Sequence, residues 1–305
     1  MKFEVLILGC SSATPMHGRH PTAQLINIQD QLLLVDCGEG TQMRLSAMGV
    51  KVNRIKAIFI SHLHGDHCLG LVGLLSSMHL MGRKNPLEVY GPVALQSIVE
   101  LQFLHAQTTI QYPLTFHATM PEGEHLIRED EYSRVYSFQL DHRIPCTGFR
   151  VEEKSKSPAI RLELVESLGV PRDYYSLLKK KHDFVAEDGT VYPWQQLTSP
   201  PPAPRKYAFC SDTAASGGYI EAIKGVNLLY HEATFMHDMA DRAEETFHST
   251  ALQAGQVAEA AGVGKLLIGH YSARYKDIQP LWDEARAAFP HTEPAMEGRW
   301  YPVTY

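Results

Sequence analysis

The 305-residue chain reads as an α/β protein, with sheets covered by helices. Three observations lead there. Short apolar runs of strand length alternate with longer stretches of helical spacing. Two of the early runs flank a short polar turn. The densest polar motifs stand where a strand gives way to a loop. Phe3–Gly9 reads as a buried strand, because Val5, Leu6, Ile7 and Leu8 form an apolar run that Gly9 ends. Residues 25–28 and 32–35 flank Gln29-Asp30-Gln31 as a hairpin. Strands follow at 57–61 and 87–90. Residues 92–105 read as a helix with proline at its start and Val93, Leu95, Ile98, Leu101 and Phe103 as its apolar positions. Further strands are expected at 135–140, 207–210, 226–230 and 265–269. A capped helix begins at Ser249-Thr250, with Leu252, Val257 and Ala260 as apolar positions.

Residues 150–206 break this alternation. They hold Lys179-Lys180-Lys181 and the proline-rich run Ser199-Pro200-Pro201-Pro202-Ala203-Pro204, and read as an inserted arm on a single domain spanning 1–305. The formal net charge is −6, which as an average argues against a nucleic-acid partner. The arm carries ten Lys/Arg against eight Asp/Glu, +2, so it is locally basic on an acidic body. Hydrophobic residues make up 44% and charged residues 20%, as in a soluble globular protein. No stretch reaches the roughly 18 apolar residues that span a bilayer. The N-terminus reads straight into a strand, so a cytoplasmic protein without a membrane partner is expected. The five cysteines are odd in number and form no C-x-x-C pair, which suits buried free thiols.

The chemistry concentrates in Ile60-Ser61-His62-Leu63-His64-Gly65-Asp66-His67. Three imidazoles and a carboxylate follow a hydrophobic strand. A loop there can aim alternate side chains inward, so that His62 and His64 share one metal while Asp66 and His67 face a second. Neutral imidazole and carboxylate are good zinc ligands, and manganese or iron also suit a His/Asp site. One histidine alone is more often structural, but H-x-H-x-D-H has a very low chance of arising without a site.

This string resembles the metallo-β-lactamase superfamily, whose fold is a four-layer αββα sandwich. The resemblance implies that later residues at strand ends complete a site for two zinc ions. His62, His64 and His142 would hold one ion, Asp66, His67 and His270 the other, and Asp212 would bridge them. Asp66 would also accept a proton from the attacking water.

Further segments narrow the likeness. His231-Glu232-Ala233-Thr234, His248-Ser249-Thr250, Phe209-Cys210-Ser211-Asp212-Thr213, Leu8-Gly9-Cys10-Ser11-Ser12-Ala13-Thr14-Pro15 and Asp36-Cys37-Gly38-Glu39-Gly40-Thr41-Gln42 resemble segments of the ribonuclease Z family. That resemblance covers nearly the whole chain and is weakest over the arm. It implies a zinc-dependent endoribonuclease that removes the 3′ trailer of precursor tRNA by attack of a metal-activated hydroxide on a phosphodiester. The products would be a 3′-hydroxyl on the tRNA and a 5′-phosphate on the trailer. A ribose 3′-oxygen leaves poorly unless protonated, so His248 would serve as general acid, with Glu232 orienting it. The bland alternative is that His248 caps the helix after it. The arm corresponds to the family's tRNA-gripping segment, with Lys179, Lys180 and Lys181 meeting the RNA backbone. Arg274 would stand by the RNA 3′ end. Arg19 would lie near the mouth, although Arg19-His20 departs from the commoner Arg-Asn. A homodimer follows from the same precedent. The rival readings are a small-molecule phosphodiesterase or arylsulfatase of the same fold, which would not need the insert, and a non-enzymatic binding protein, which would have lost a ligand.

Overall fold

The structure, a computed structural model, describes residues 2–305. It divides into two compact units, one comprising the chain up to Glu152 together with Arg205–Tyr305, the other Glu153–Pro204.

The larger unit is built on two seven-stranded sheets. In spatial order the first contains Trp300–Pro302, Phe3–Gly9, Ala23–Ile28, Gln31–Val35, Ile55–Phe59, Leu87–Gly91 and Leu114–Ala118. The second contains Thr292–Pro294, Leu266–Gly269, Leu228–Glu232, Lys206–Cys210, Cys146–Glu153, Ser133–Leu140 and Glu124–Glu129. Alternation of side chains along each strand sorts residues between two cores. Val5 and Ile7 enter the core shared by the sheets, where Phe59 meets Phe149 with ring centroids 5.5 Å apart. Leu6 and Leu8 point the other way, to the core under helices Thr41–Ala47, Leu71–Leu80 and Ala94–His105. Helices Ala251–Ala261 and Gln279–Ala288 cover the outer face of the second sheet. The layers are therefore helix, sheet, sheet, helix.

The hairpin forms as expected, with Gln29 (φ 48°) and Asp30 (φ 65°) both left-handed, the backbone that lets a two-residue turn match the twist of its strands. Three expectations need correction. The strand expected at 57–61 is Ile55–Phe59, because the chain then leaves the ladder: the Ser61 N–H donates to Asp36 Oδ1 at 2.8 Å. The strand expected at 226–230 is Leu228–Glu232, since Asn227 is used in a turn, its Oδ1 accepting from Lys206 N at 2.8 Å. In helix Ala94–His105 the buried stripe is Leu95, Val99 and Phe103, at intervals of four; Val93, Ile98 and Leu101 are exposed.

The capped helix is Ala251–Ala261, with Thr250 as its N-cap and a capping box to Gln253. Small residues dominate its buried face, Leu252 is half-buried and Ala260 is exposed. Gly255 permits the close approach of the next helix: a Cβ there would lie 2.6 Å from Ala285 O. The five cysteines are free, and burial raises the pKa of each thiol. No helix among the described residues is long and apolar enough to cross a membrane.

The smaller unit has its own core of Val165, Val170, Leu178, Phe184 and Leu197. Its limits fall inside the expected 150–206, because residues 150–152 and Lys206 pair within the second sheet. That difference removes the basic excess. Residues 153–204 carry seven Lys/Arg and seven Asp/Glu, so the +2 came from Arg150, Glu152, Arg205 and Lys206 at the boundary. Lys179, Lys180 and Lys181 are exposed at the end of helix Tyr175–Lys179, and Lys181 Nζ lies 5.6 Å from the Trp194 ring centroid.

Candidate metal centre and active site

Strand ends build the site. After Ile55–Phe59 the loop carries His62 and His64, and the short helix Gly65–Cys68 carries Asp66 and His67. His142 stands two residues beyond Ser133–Leu140, and Asp212 two beyond Lys206–Cys210. His270 follows Leu266–Gly269 directly, in a left-handed conformation (φ 60°) that is uncommon for a residue with a Cβ. The parallel strands pair Cys210 with His231 and Glu232 with Gly269, which brings their carboxyl ends level. Loops at that edge are where α/β sheets gather function.

Two donor groups result: His62, His64, His142 and Asp212, and Asp66, His67, Asp212 and His270, with the ligand atoms of each group within 4.8 Å of one another. In the first, His64 Nδ1 lies 3.0 Å from His62 Nε2 and 3.2 Å from His142 Nε2, and Asp212 Oδ2 lies 3.6 and 3.8 Å from those Nε2 atoms. In the second, His67 Nε2 is 3.2 Å from both Asp66 Oδ2 and Asp212 Oδ1, and His270 Nε2 is 3.4 and 3.1 Å from the same two oxygens. Asp212 thus turns one oxygen to each group.

The outer nitrogens are engaged. His67 Nδ1 donates to Asp36 Oδ2 at 2.7 Å and His142 Nδ1 donates to Phe247 O at 3.0 Å. His62 Nδ1 donates to Ser61 Oγ at 3.0 Å, which in turn donates to Asp36 Oδ2 at 2.9 Å. His270 Nδ1 stands 2.8 Å from Thr234 Oγ1. Such partners fix the tautomer that turns an Nε2 lone pair inward.

The charges agree with a cation at this place. Burial lowers the pKa of His62, His64 and His142, the last to about 4, and keeps them neutral. Burial also opposes charge on His67, but Asp212, Asp66 and Asp36 outweigh it and push His67 well above the usual imidazole value. That surplus of carboxylate asks for positive charge between the side chains. His67 Nε2 is buried and makes no aligned hydrogen bond despite its short distances to oxygen, so it points at a common centre, not at a partner. Imidazole nitrogens and carboxylate oxygens in this number fit a divalent transition ion.

Beside the second group, Glu232 is fully buried and saturated with donors. Its Oε1 accepts from Thr213 N and His248 Nδ1, both at 2.8 Å. Its Oε2 accepts from Thr234 N at 3.2 Å and Thr234 Oγ1 at 2.5 Å. Burial would depress the His248 pKa, but the Glu232 carboxylate overcomes it and raises His248 to about 9. His248 is not the helix cap, since Thr250 holds that position.

A cavity of about 720 Å³ opens on Asp66, Asp212 and His248, and three arginines line it: Arg143, Arg242 and Arg274. Arg274 sits over the Phe235 ring at 5.6 Å, Arg242 donates to Glu245 at 2.9 Å, and exposed Arg143 has no acidic partner among the described residues. Arg19 does not line this cavity. Its Nη2 donates to Tyr275 O at 2.6 Å, so it braces the loop that carries Arg274. Lys179, Lys180 and Lys181 belong to the smaller unit. Sequence reasoning missed Asp36, Ser61, Thr213 and Thr234 as partners of the site, and Arg143 and Arg242 as its cations. Asp36, Ser61, Thr213 and Thr234 all lie within the motif segments of the sequence; the arginines gave no signal before folding.

A family profile described as Anti-Pycsar protein Apyc1 matches residues 3–111. The chain is 45% identical to a protein named Ribonuclease Z from Parabacteroides distasonis over 296 residues, 97% of each chain. The crystal structure of human tRNase Z, short form, is similar with a TM-score of 0.72 and 26% identity, covering 99% of this chain and all of that one. The metallo-β-lactamase fold protein YhfI from Bacillus subtilis is similar in fold, with a TM-score of 0.70, 19% identity and 99% of this chain covered. The helix–sheet–sheet–helix layering is the metallo-β-lactamase fold, and the chain belongs to the ribonuclease Z family of phosphodiester hydrolases.

Proposed function

We propose that this enzyme removes the 3′ trailer from precursor tRNA in a zinc-dependent reaction. The observation that carries the reading is convergence: both donor groups and the Glu232–His248 pair open onto one arginine-lined cavity. Two zinc ions, one held by His62, His64, His142 and Asp212 and the other by Asp66, His67, His270 and Asp212, would supply an activated water and offset charge on the phosphoryl oxygens.

The chain's own groups account for the rest. Asp66 takes a proton from the attacking water. His248 Nδ1 is occupied by Glu232, which leaves Nε2 to protonate the departing ribose 3′-oxygen. The P–O3′ bond breaks, so the tRNA keeps a 3′-hydroxyl and the trailer keeps the phosphate at its 5′ end. Arg143, Arg242 and Arg274 hold backbone phosphates of the bound strand. The unit Glu153–Pro204, with Lys179, Lys180 and Lys181, grips the tRNA body, and two chains act as a homodimer in the cytoplasm. A small-molecule phosphodiesterase or arylsulfatase shares the fold, but has no use for the smaller unit.

The test is incubation of the purified enzyme with a 3′-extended tRNA and mapping of both product ends. Cleavage at the trailer junction with the stated ends is expected. Hydrolysis of small diesters with the tRNA left intact would transfer the reading to the small-molecule alternative.

A further inference from the structure

A hydroxyl group joins the two halves of the active site. Thr234 Oγ1 lies 2.5 Å from Glu232 Oε2 and 2.8 Å from His270 Nδ1. No other side-chain atom described bonds both the Glu232–His248 pair and a candidate metal ligand in this way. Thr234 is almost wholly buried, so water does not replace these partners. A hydroxyl has one hydrogen to give. Glu232, bound to His248, is an acceptor only, and takes that hydrogen. The remaining lone pairs of Oγ1 then face His270 Nδ1, which must be the donor. His270 is therefore protonated on Nδ1 and turns an unprotonated Nε2 inward.

The other tautomer is a real competitor here. With its hydrogen on Nε2, His270 would donate to Asp212 Oδ1 at 3.1 Å or Asp66 Oδ2 at 3.4 Å, and the cluster would satisfy itself without a cation. The carboxylates favour that closed arrangement; the Thr234 hydroxyl opposes it. We propose that Thr234 is a positioning residue whose hydroxyl, oriented by Glu232, selects the metal-accepting tautomer of His270 and so ties the general-acid pair to the metal centre. This rests on the reading of His270 as a metal ligand. The contribution is separate from holding Glu232 in place, because Thr234 N also donates to Glu232 Oε2 at 3.2 Å and any residue retains that bond.

The test compares wild type, Thr234→Val, Thr234→Ser and His248→Ala as full-length zinc-loaded proteins. Zinc retention is measured by competition with a chelator, alongside cleavage of 3′-extended tRNA. Thr234→Val keeps the shape and removes the hydroxyl, and should weaken zinc retention by about 10–100-fold, the usual loss when a partner of a ligating histidine is removed. Thr234→Ser should restore both readouts, and His248→Ala should lose cleavage and keep zinc. Should Thr234→Val not fold, Thr234→Ala carries the same expectation. Valine or alanine variants that hold zinc as wild type does overturn the proposal, and so does a serine variant as impaired as the valine one. A wild-type protein that retains no zinc overturns the metal reading itself, an outcome recognised because all four proteins would then be alike.

Discussion

His248→Ala separates the chemistry of proton delivery from that of the metal centre. The side chain removed makes one strong polar contact, Nδ1 to Glu232 Oε1 at 2.8 Å. Glu232 then keeps three donors, Thr213 N at 2.8 Å, Thr234 N at 3.2 Å and Thr234 Oγ1 at 2.5 Å. A buried carboxylate left with three hydrogen bonds stays ionised and in place. His142 and His270, whose rings pack against His248 with centroids 5.2 and 5.4 Å away, keep their own partners, Phe247 O and Thr234 Oγ1. Metal content should therefore be unchanged.

The cleavage rate should fall by the roughly 10²–10⁴-fold that a positioned general acid contributes, about 3–5 kcal/mol of barrier. The loss should depend on the leaving group. A ribose 3′-oxygen needs the proton, whereas p-nitrophenolate is stable without one, so bis(p-nitrophenyl) phosphate should be hydrolysed at close to the wild-type rate. Single-turnover cleavage of 3′-extended tRNA, hydrolysis of that diester and elemental analysis form one experiment. Loss of metal, or an equal loss on both substrates, would refute proton delivery by His248.

Three more outcomes follow from the same geometry. Asp212→Ala removes an oxygen from each donor group, so elemental analysis should find metal lost from both; wild-type protein should hold about two ions per chain, and metal near zero with full activity would sink that account. Replacing 154–203 by a short turn should preserve the body, because Glu152 and Lys206 are register partners on adjacent antiparallel strands, about 5 Å apart. Diester hydrolysis should survive, and precursor tRNA should bind more weakly with a flatter salt dependence; undiminished cleavage of the tRNA would remove the smaller unit from recognition. Arg143→Ala deletes a cavity cation without an acidic partner, so RNA binding should weaken across sequences and the log–log salt slope should drop by about one; an unchanged slope, read by filter binding, would mean that Arg143 touches no phosphate.

The sequence by itself determined the parts of this protein that local chemistry specifies. Apolar runs marked nine strands of the two large sheets to within two residues, because a strand buried on both faces is continuously hydrophobic; Leu114–Ala118, Glu124–Glu129, Cys146–Glu153, Thr292–Pro294 and Trp300–Pro302 carry no such run and were not anticipated. The H-x-H-x-D-H string was legible because its residues lie side by side, whereas His142, Asp212 and His270 came only through the family resemblance, each at the end of an expected strand. Tertiary structure decided what depends on groups far apart in sequence. Asp36 and His67, Thr234 and His270, and Glu232 and His248 are separated by 31, 36 and 16 residues, and no periodicity links them. The buried stripe of helix Ala94–His105 was misassigned because it has apolar residues on both sides, and only the sheet beneath chose Leu95, Val99 and Phe103. The basic excess of the insert dissolved in the same way: Arg150, Arg205 and Lys206 belong to the body, because sheet pairing, not composition, sets where the smaller unit begins. Strand identity is a local free-energy choice, whereas a site is made when level strand ends bring distant side chains within hydrogen-bond reach.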